Sequence, residues 1–229
     1  MKRQKRTQTV KITTQIKNPE LVERRRDQLI AAATKSFIEK GYDKTSVRDI
    51  VRQSGLSMGN LYDYISSKED ILYLVHQHMI HTIYRSLFDL REDEFEIGYV
   101  NIIDLIEHAL REALNFQDQI ILLYQESGAL SKNLLKSILT QELEYVHMFK
   151  RLLDKANDRG VSNIEDTDFV ANLIVYLISF LSLRRWSLRG REKEKMISLL
   201  MTSIKRILGC PTNQPRKRLV KKSSGDRNV

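Results

Sequence analysis

Residues 45–68 read TSVRDIVRQSGLSMGNLYDYISSK, and they hold two short helices joined by a tight turn. Val47, Ile50 and Val51 form an apolar i, i+3, i+4 stripe on the first helix. Ser54, Gly55 and Leu56 break the pattern, and Gly55 can take the left-handed backbone that ends a helix. Ser57 is a natural N-cap for the second helix, on which Leu61 and Ile65 share a face. Met58, Asn60, Tyr62, Asp63 and Tyr64 are left for the other faces, most of them outward. Two helices of this length with a glycine in the turn make a helix-turn-helix, whose second member can enter a major groove.

The outward positions suit duplex DNA. Thr45 and Ser46 lie at the first helix's N-terminus, where free N–H groups and the helix dipole favour a phosphate. Arg48, one turn in, can reach a guanine edge or a phosphate. Ser57, Met58, Asn60 and Tyr62 begin the second helix, where base edges are read: Asn pairs with adenine, and Met or Tyr touches a thymine methyl. Gly59 lets the backbone come close.

The longer run GLSMGNLYDYISSKEDIL resembles the signature of TetR-family regulators. Gly55, Ser57, Gly59, Leu61, Tyr62, Tyr64, Lys68 and Glu69 match it; Ile65 replaces the usual Phe, and Asp63 falls where Tyr or His is more usual. The likeness runs from Arg25 to Leu74 and is much weaker afterwards. It implies phosphate contacts from Tyr64 and Lys68, and a small-molecule inducer bound among the central helices.

Charge distribution agrees with a polyanionic partner at the amino end. Residues 1–68 carry 15 Lys/Arg against 7 Asp/Glu, residues 69–209 carry 17 against 21, and residues 210–229 carry 6 against 1. Ordinary solvated cations would be spread evenly; here they gather on the helix-turn-helix and the two tails. Few prolines and glycines suit an all-α protein, and the single cysteine excludes a disulfide framework and fits a reducing cytoplasm. MKRQKRTQTV has no apolar core of a secretory leader, and the longest apolar run, residues 169–183, is too short to cross a bilayer.

Around the helix-turn-helix the chain divides into a basic flexible arm (1–18), the DNA-binding unit (19–66), a helical ligand-binding and dimerisation body (67–209) and a basic disordered tail (210–229). Asn18 caps a first helix with Pro19 at its first position, Leu29, Ala33 and Phe37 on its buried stripe and Gly41 at its end. A capping pair, Ser67 and Asp70, starts a helix running to about Leu90, or ~33 Å, a lever between the DNA unit and the body. An acidic loop follows at residues 91–98, then helices over residues 100–116, 118–126, 132–157, 167–187 and 191–208.

Phe169, Leu173, Tyr176, Phe180 and Leu183 repeat at heptad-like spacing, with Val170, Ile174, Leu177 and Leu181 on a second face. Met196, Leu199, Leu200, Ser203, Ile204 and Ile207 form a stripe on the last helix. A four-helix interface with a second copy covers these faces, with Met196, Leu200, Ile204 and Ile207 contributed by the last helix; burial within one monomer is the alternative.

Phe88, Phe116, Tyr124 and Phe149 are candidate lining for a ligand cavity, against the commoner reading of plain core. His76, His78 and His81 cannot converge on one metal, so the expectation is two exposed histidines, one packed one and no metal. No cofactor loop or catalytic constellation is present, which leaves enzymes aside. The expected function is a homodimeric, sequence-specific regulator, a repressor released by an apolar or acyl-type ligand. A DNA-coating factor without inducer is the alternative.

Overall fold

A computed structural model describes residues 10, 12, 16–88 and 99–209, all-helical in architecture. The expected acidic loop at 91–98 and the tail from Cys210 lie outside these residues, as do the side chains of Asn60 and Phe88.

The amino-terminal helices start and stop where local chemistry demands. The Asn18 side chain accepts from the Leu21 N–H (3.2 Å), Pro19 opens α1 (Pro19–Lys40), and Leu29, Ala33 and Phe37 are buried along it. Helix α2 (Val47–Ser54) begins with a complete capping box: Ser46 Oγ accepts the Asp49 N–H, and the Asp49 carboxylate accepts from the Ser46 N–H. It ends at Gly55, at φ 72° and ψ 10°, the left-handed geometry a Cβ would resist. Helix α3 (Met58–Tyr62) follows, with Leu61 and Ile65 buried beneath it. The Ser67/Asp70 pair then caps α4 (Lys68–Phe88) as expected from the sequence.

The body comprises α5 (Tyr99–Ala113), α6 (Gln117–Glu126), α7 (Lys132–Asp158), α8 (Thr167–Leu183) and α9 (Lys193–Ile207), with single 3-10 turns at Leu114–Phe116 and Ser127–Ala129. Helix α4 carries the chain from the α1–α3 head into this body and packs on α1, α5, α6 and α7. Helix α8 lies against α5, α6, α7 and α9, so Ala171, Ile174, Val175, Ile178 and Leu181 are buried within the monomer. One of its two apolar faces therefore needs no second chain. The helix stops at Leu183, four residues short of the sequence expectation, and a turn leads through Leu188 to α9. Arg111 of α5 joins Glu107 to Glu194 of α9, holding α9 across the bundle.

Two expectations need correction here. Met196, Leu200 and Ile204 face the monomer core rather than a partner: α9 packs on α5 through them, and its outward apolar residues are Leu199 and Ile207. Val10, Ile12 and Ile16, expected on a flexible arm, pack against the core instead.

Candidate nucleic-acid interface

The outer side of the head is built from the turn and α3. Ser57 and Gly59 are exposed, Tyr62 is 56% exposed, and Met58 is half buried with its side chain against the core. A Cβ placed on Gly59 meets nothing within 4 Å, so packing in this chain gives no reason for a glycine there. Arg48 on α2 and its N-cap Ser46 are both exposed. The Ser46 hydroxyl donates to Asp49 Oδ2 (2.6 Å), so it is spent on the cap. This bond, with the one to the Ser46 backbone, brings the Asp49 carboxyl down to about 2.

Three residues expected at phosphates are turned inward instead. Thr45 is 1% exposed, and its hydroxyl donates within the head to the carbonyls of Gly41 (2.8 Å) and Ser36 (3.1 Å). Tyr64 is 5% exposed because α3 ends at Tyr62 and the chain folds back, with the Tyr64 N–H donating to the Leu61 carbonyl. Lys68 Nζ donates to the carbonyls of Tyr42 (2.9 Å) and Thr45 (3.2 Å) and lies 4.1 Å from the centre of the Tyr42 ring. These three side chains shape the head. A residue the sequence did not single out, Arg26 of α1, joins them: its Nη2 donates to the carbonyls of Ile12 (2.6 Å) and Tyr64 (3.4 Å). Nothing in the local pattern marks it, since its acceptors are backbone atoms far away in sequence.

Of the aromatic candidates for a ligand cavity, the three with described side chains sit in different surroundings. Phe149 is fully buried core, Tyr124 is half exposed on α6, and Phe116 borders a separate crevice of about 550 Å³ with Ile30, Thr34, Ile38 and His78. The sequence could not resolve this, because aromatics at helical spacing look the same whether they line core or cavity. A different polar group sits inside the body. The Tyr84 and Tyr145 rings stack at 3.8 Å, burial pushes both phenols up, and the neighbouring Glu142 carboxyl is raised by burial too. His76 is fully buried with both ring nitrogens unpaired, and burial takes it down to about 4. His78 and His81 are exposed, and among the described residues no group of three His, Cys, Asp or Glu could hold a metal.

On the opposite end of the molecule, α8 and α9 present an apolar surface without cover in the monomer. Phe169 is 65% exposed, Tyr176 49% and Leu199 51%, flanked by half-buried Leu173, Phe180 and Leu183 and by exposed Ile207.

Comparison with known proteins agrees with this architecture at both ends. Residues 29–73 match the model of bacterial regulatory proteins of the tetR family, and residues 102–198 match the tetracyclin repressor-like C-terminal domain. The chain belongs to the TetR family. It is thus a DNA-binding transcriptional regulator. The HTH-type transcriptional regulator HbdR of Aromatoleum sp. is 43% identical over 67 residues, 29% of each chain. An uncharacterized HTH-type regulator of Bacillus subtilis, YvdT, is 26% identical over 194 residues, covering 80% of this chain and 94% of that protein. Among solved structures, the transcriptional regulator FadR from Bacillus subtilis in complex with stearoyl-CoA has the same fold. Its TM-score is 0.64 at 20% identity, over 78% of this chain and 96% of that one. Among the described residues of this TetR-family chain, no helix is long and apolar enough to cross a membrane.

Proposed function

We propose that this TetR-family regulator is a homodimeric repressor that reads a palindromic operator with α3 and leaves it when an acyl-type ligand binds. The observation that carries the reading is the exposed face of Arg48, Ser57, Gly59 and Tyr62 beside the turn, with half-buried Met58 at its edge. Asn60 joins it by its place on α3. Gly59 is the sharpest element. A methyl there costs the fold nothing, so the glycine serves close approach of something outside the chain, as a DNA backbone or base edge would be.

Two-fold pairing through Phe169, Tyr176, Leu199 and Ile207 would bury the uncovered face and place two heads on successive major grooves, roughly 34–36 Å apart. The stearoyl-CoA complex of a protein with the same fold supports an acyl effector, as does a body lined mainly by aliphatic residues. A ligand acts only if it favours a state with different head spacing.

Footprinting with Gly59→Ala and Tyr62→Ala tests the DNA assignment. One or a few protected sites are expected for the wild type, with each variant weakening binding by about 5- to 100-fold, as a lost base or backbone contact does. Melting temperature should be unchanged in both. Equal binding by both variants would remove α3 as the reader, and protection spread evenly along DNA would favour a coating protein. Phe169→Glu should yield monomers in sedimentation, and mass spectrometry of the purified chain should show a co-purifying acyl compound.

A further inference from the structure

The turn between α8 and α9 reverses the charge of the body around it. Residues 69–209 carry 17 Lys/Arg against 21 Asp/Glu, yet Arg184, Arg185, Arg189 and Arg191 fall within residues 184–191, where there is no acid. All four are exposed, and so is Trp186, at 64%. Among the described residues, Arg185 alone of the four meets a carboxylate, Asp118 at the start of α6. Arg184 lies over the Trp186 ring, 4.7 Å from its centre. Like charges this close repel one another unless an anion lies against them.

The turn holds these side chains on a fixed backbone. The N–H groups of Ser187 (3.0 Å) and Leu188 (3.2 Å) and the Ser187 hydroxyl (3.0 Å) all donate to the Arg184 carbonyl. The Arg191 N–H donates to the Leu188 carbonyl (3.2 Å), and Leu188 itself packs against the core. Between them Gly190, at φ 77°, turns the chain toward α9.

Its place in the fold is beside the head. Asp118, the partner of Arg185, lines the same crevice as Asp27, Ile30, Thr34 and Ile38 of α1. Just past the turn, Glu194 is held by Arg111 near the end of α5, whose next residues lead into that crevice at Asn115 and Phe116. The other end of α9 lies far from the head, with Ile207 and Leu208 beside residues 160–166.

We propose that the α8–α9 turn is a second DNA contact, in which Arg184, Arg189 and Arg191 of each protomer meet backbone phosphates between the two half-sites read by α3. Pairing through α8 and α9 sets two such turns side by side on the head side of the dimer, where they face the middle of the operator. The planar guanidinium fork suits phosphate oxygens. Trp186 carries Arg184, and the bond from Arg185 to Asp118 fixes the turn against α6. Contacts of this kind hold any duplex and leave base choice to the heads. The inference rests on the pairing and the DNA reading proposed above.

The test combines Arg184→Gln, Arg189→Gln and Arg191→Gln in the full chain, which removes exposed charge and no packing. Affinity for operator and for unrelated duplex should both fall, by about 10- to 1,000-fold, and the salt slope should become shallower by about three to five. The ratio between the two affinities should stay the same, whereas Tyr62→Ala should lower it. Hydroxyl-radical footprinting should show the operator centre protected by the wild type and open with the triple variant. Trp186 is the chain's single tryptophan, so operator DNA should shield its fluorescence from acrylamide. Unchanged affinity and salt slope in the triple variant would overturn the contact, and so would an operator centre left open by the wild type. Quenching of Trp186 by coenzyme A but not by DNA would overturn it in favour of a ligand-binding turn. If Tyr62→Ala loses the operator while the triple variant binds as the wild type does, the turn fails and the α3 reading stands. A wild-type chain that binds no duplex defeats both.

Discussion

The head and the body are held together by different forces. The head relies on directional bonds: the Ser46/Asp49 box, Thr45 on two carbonyls, Lys68 on two more and on a ring, and the Ser36 hydroxyl donating to Gln53 at 2.5 Å. It needs them, because helices of eight and five residues do not persist by themselves. The body is made of long helices, 27 residues in α7, packed through aliphatic side chains. Packing is non-directional, and buried polar atoms are left without partners in both parts: Arg26 Nε in the head, and His76 and Ser182 Oγ on α4 and α8. A directionally wired head keeps one shape for reading.

The largest effect should come from removing packing beneath each part. Leu61 and Phe149 are both fully buried, so Leu61→Ala and Phe149→Ala should each cost about 2–5 kcal/mol through the cavity left behind. Their consequences should diverge. Leu61→Ala is expected to abolish operator binding with the helical signal of the body nearly intact, whereas Phe149→Ala should lower the body's melting temperature first. If Leu61→Ala unfolds the whole chain in one transition, the two parts are not separable in this way.

Acid should loosen the body before the head. His76 falls from 6.5 to about 4 in the folded chain because burial disfavours its charge. The unfolded state then binds the extra proton between these values, so stability drops as pH falls from about 6.5 to 4, by on the order of 3 kcal/mol in total. His76→Leu should flatten that region of the profile in urea denaturation. A wild-type stability curve that is level from pH 7 to 4.5 would show that His76 finds a partner or water.

How far the sequence carried this comparison depended on the range of the forces involved. The helix ends at Asn18, Gly55 and Ser67 were legible because a cap is settled within four residues, and the start of α2 was legible to within Thr45 or Ser46. Likewise the α8 seam from Phe169 to Leu183 was readable from spacing, and its outermost residues are indeed left uncovered. What failed was long-range. Thr45 sits where a phosphate-binding residue would, but its hydroxyl is taken by carbonyls that only the folded chain brings near. The α9 stripe was wide enough to face either way. Only the packing of α5 against it shows that Met196, Leu200 and Ile204 go inward while Leu199 and Ile207 stay out. Val10 was expected on a flexible arm, because its partners lie 63 and 127 residues away and leave no local mark.

A smaller change tests the wiring of the head alone. Thr45→Val keeps the shape and deletes the hydroxyl shared by the Ser36 and Gly41 carbonyls. The expected cost is about 1–2 kcal/mol, with DNA affinity reduced through a less ordered α1–α2 junction rather than through a lost phosphate contact. The discriminating measurement is the salt slope of operator binding. It should be the same in wild type and variant, whereas a shallower slope in Thr45→Val would restore the phosphate role.

The smallest effect belongs to Asp49, and its pH window lies apart from that of His76. The cap bonds from Ser46 hold this carboxyl at about 2, below its ordinary 3.8. A depressed folded value means the stabilisation is complete above about 4 and is lost as pH falls toward 2, so neutral and mildly acidic solutions should not feel it. Asp49 is half-buried at the surface and its ion pairs with Lys40 and Arg52 are screened by salt, which keeps its contribution small. Asp49→Asn should therefore erase a small acid-side loss of head structure between pH 4 and 2 and leave the body's transition between 6.5 and 4 where it was. If the substitution moves the upper transition too, the capping box is coupled into the body, and head and body titrate as one unit.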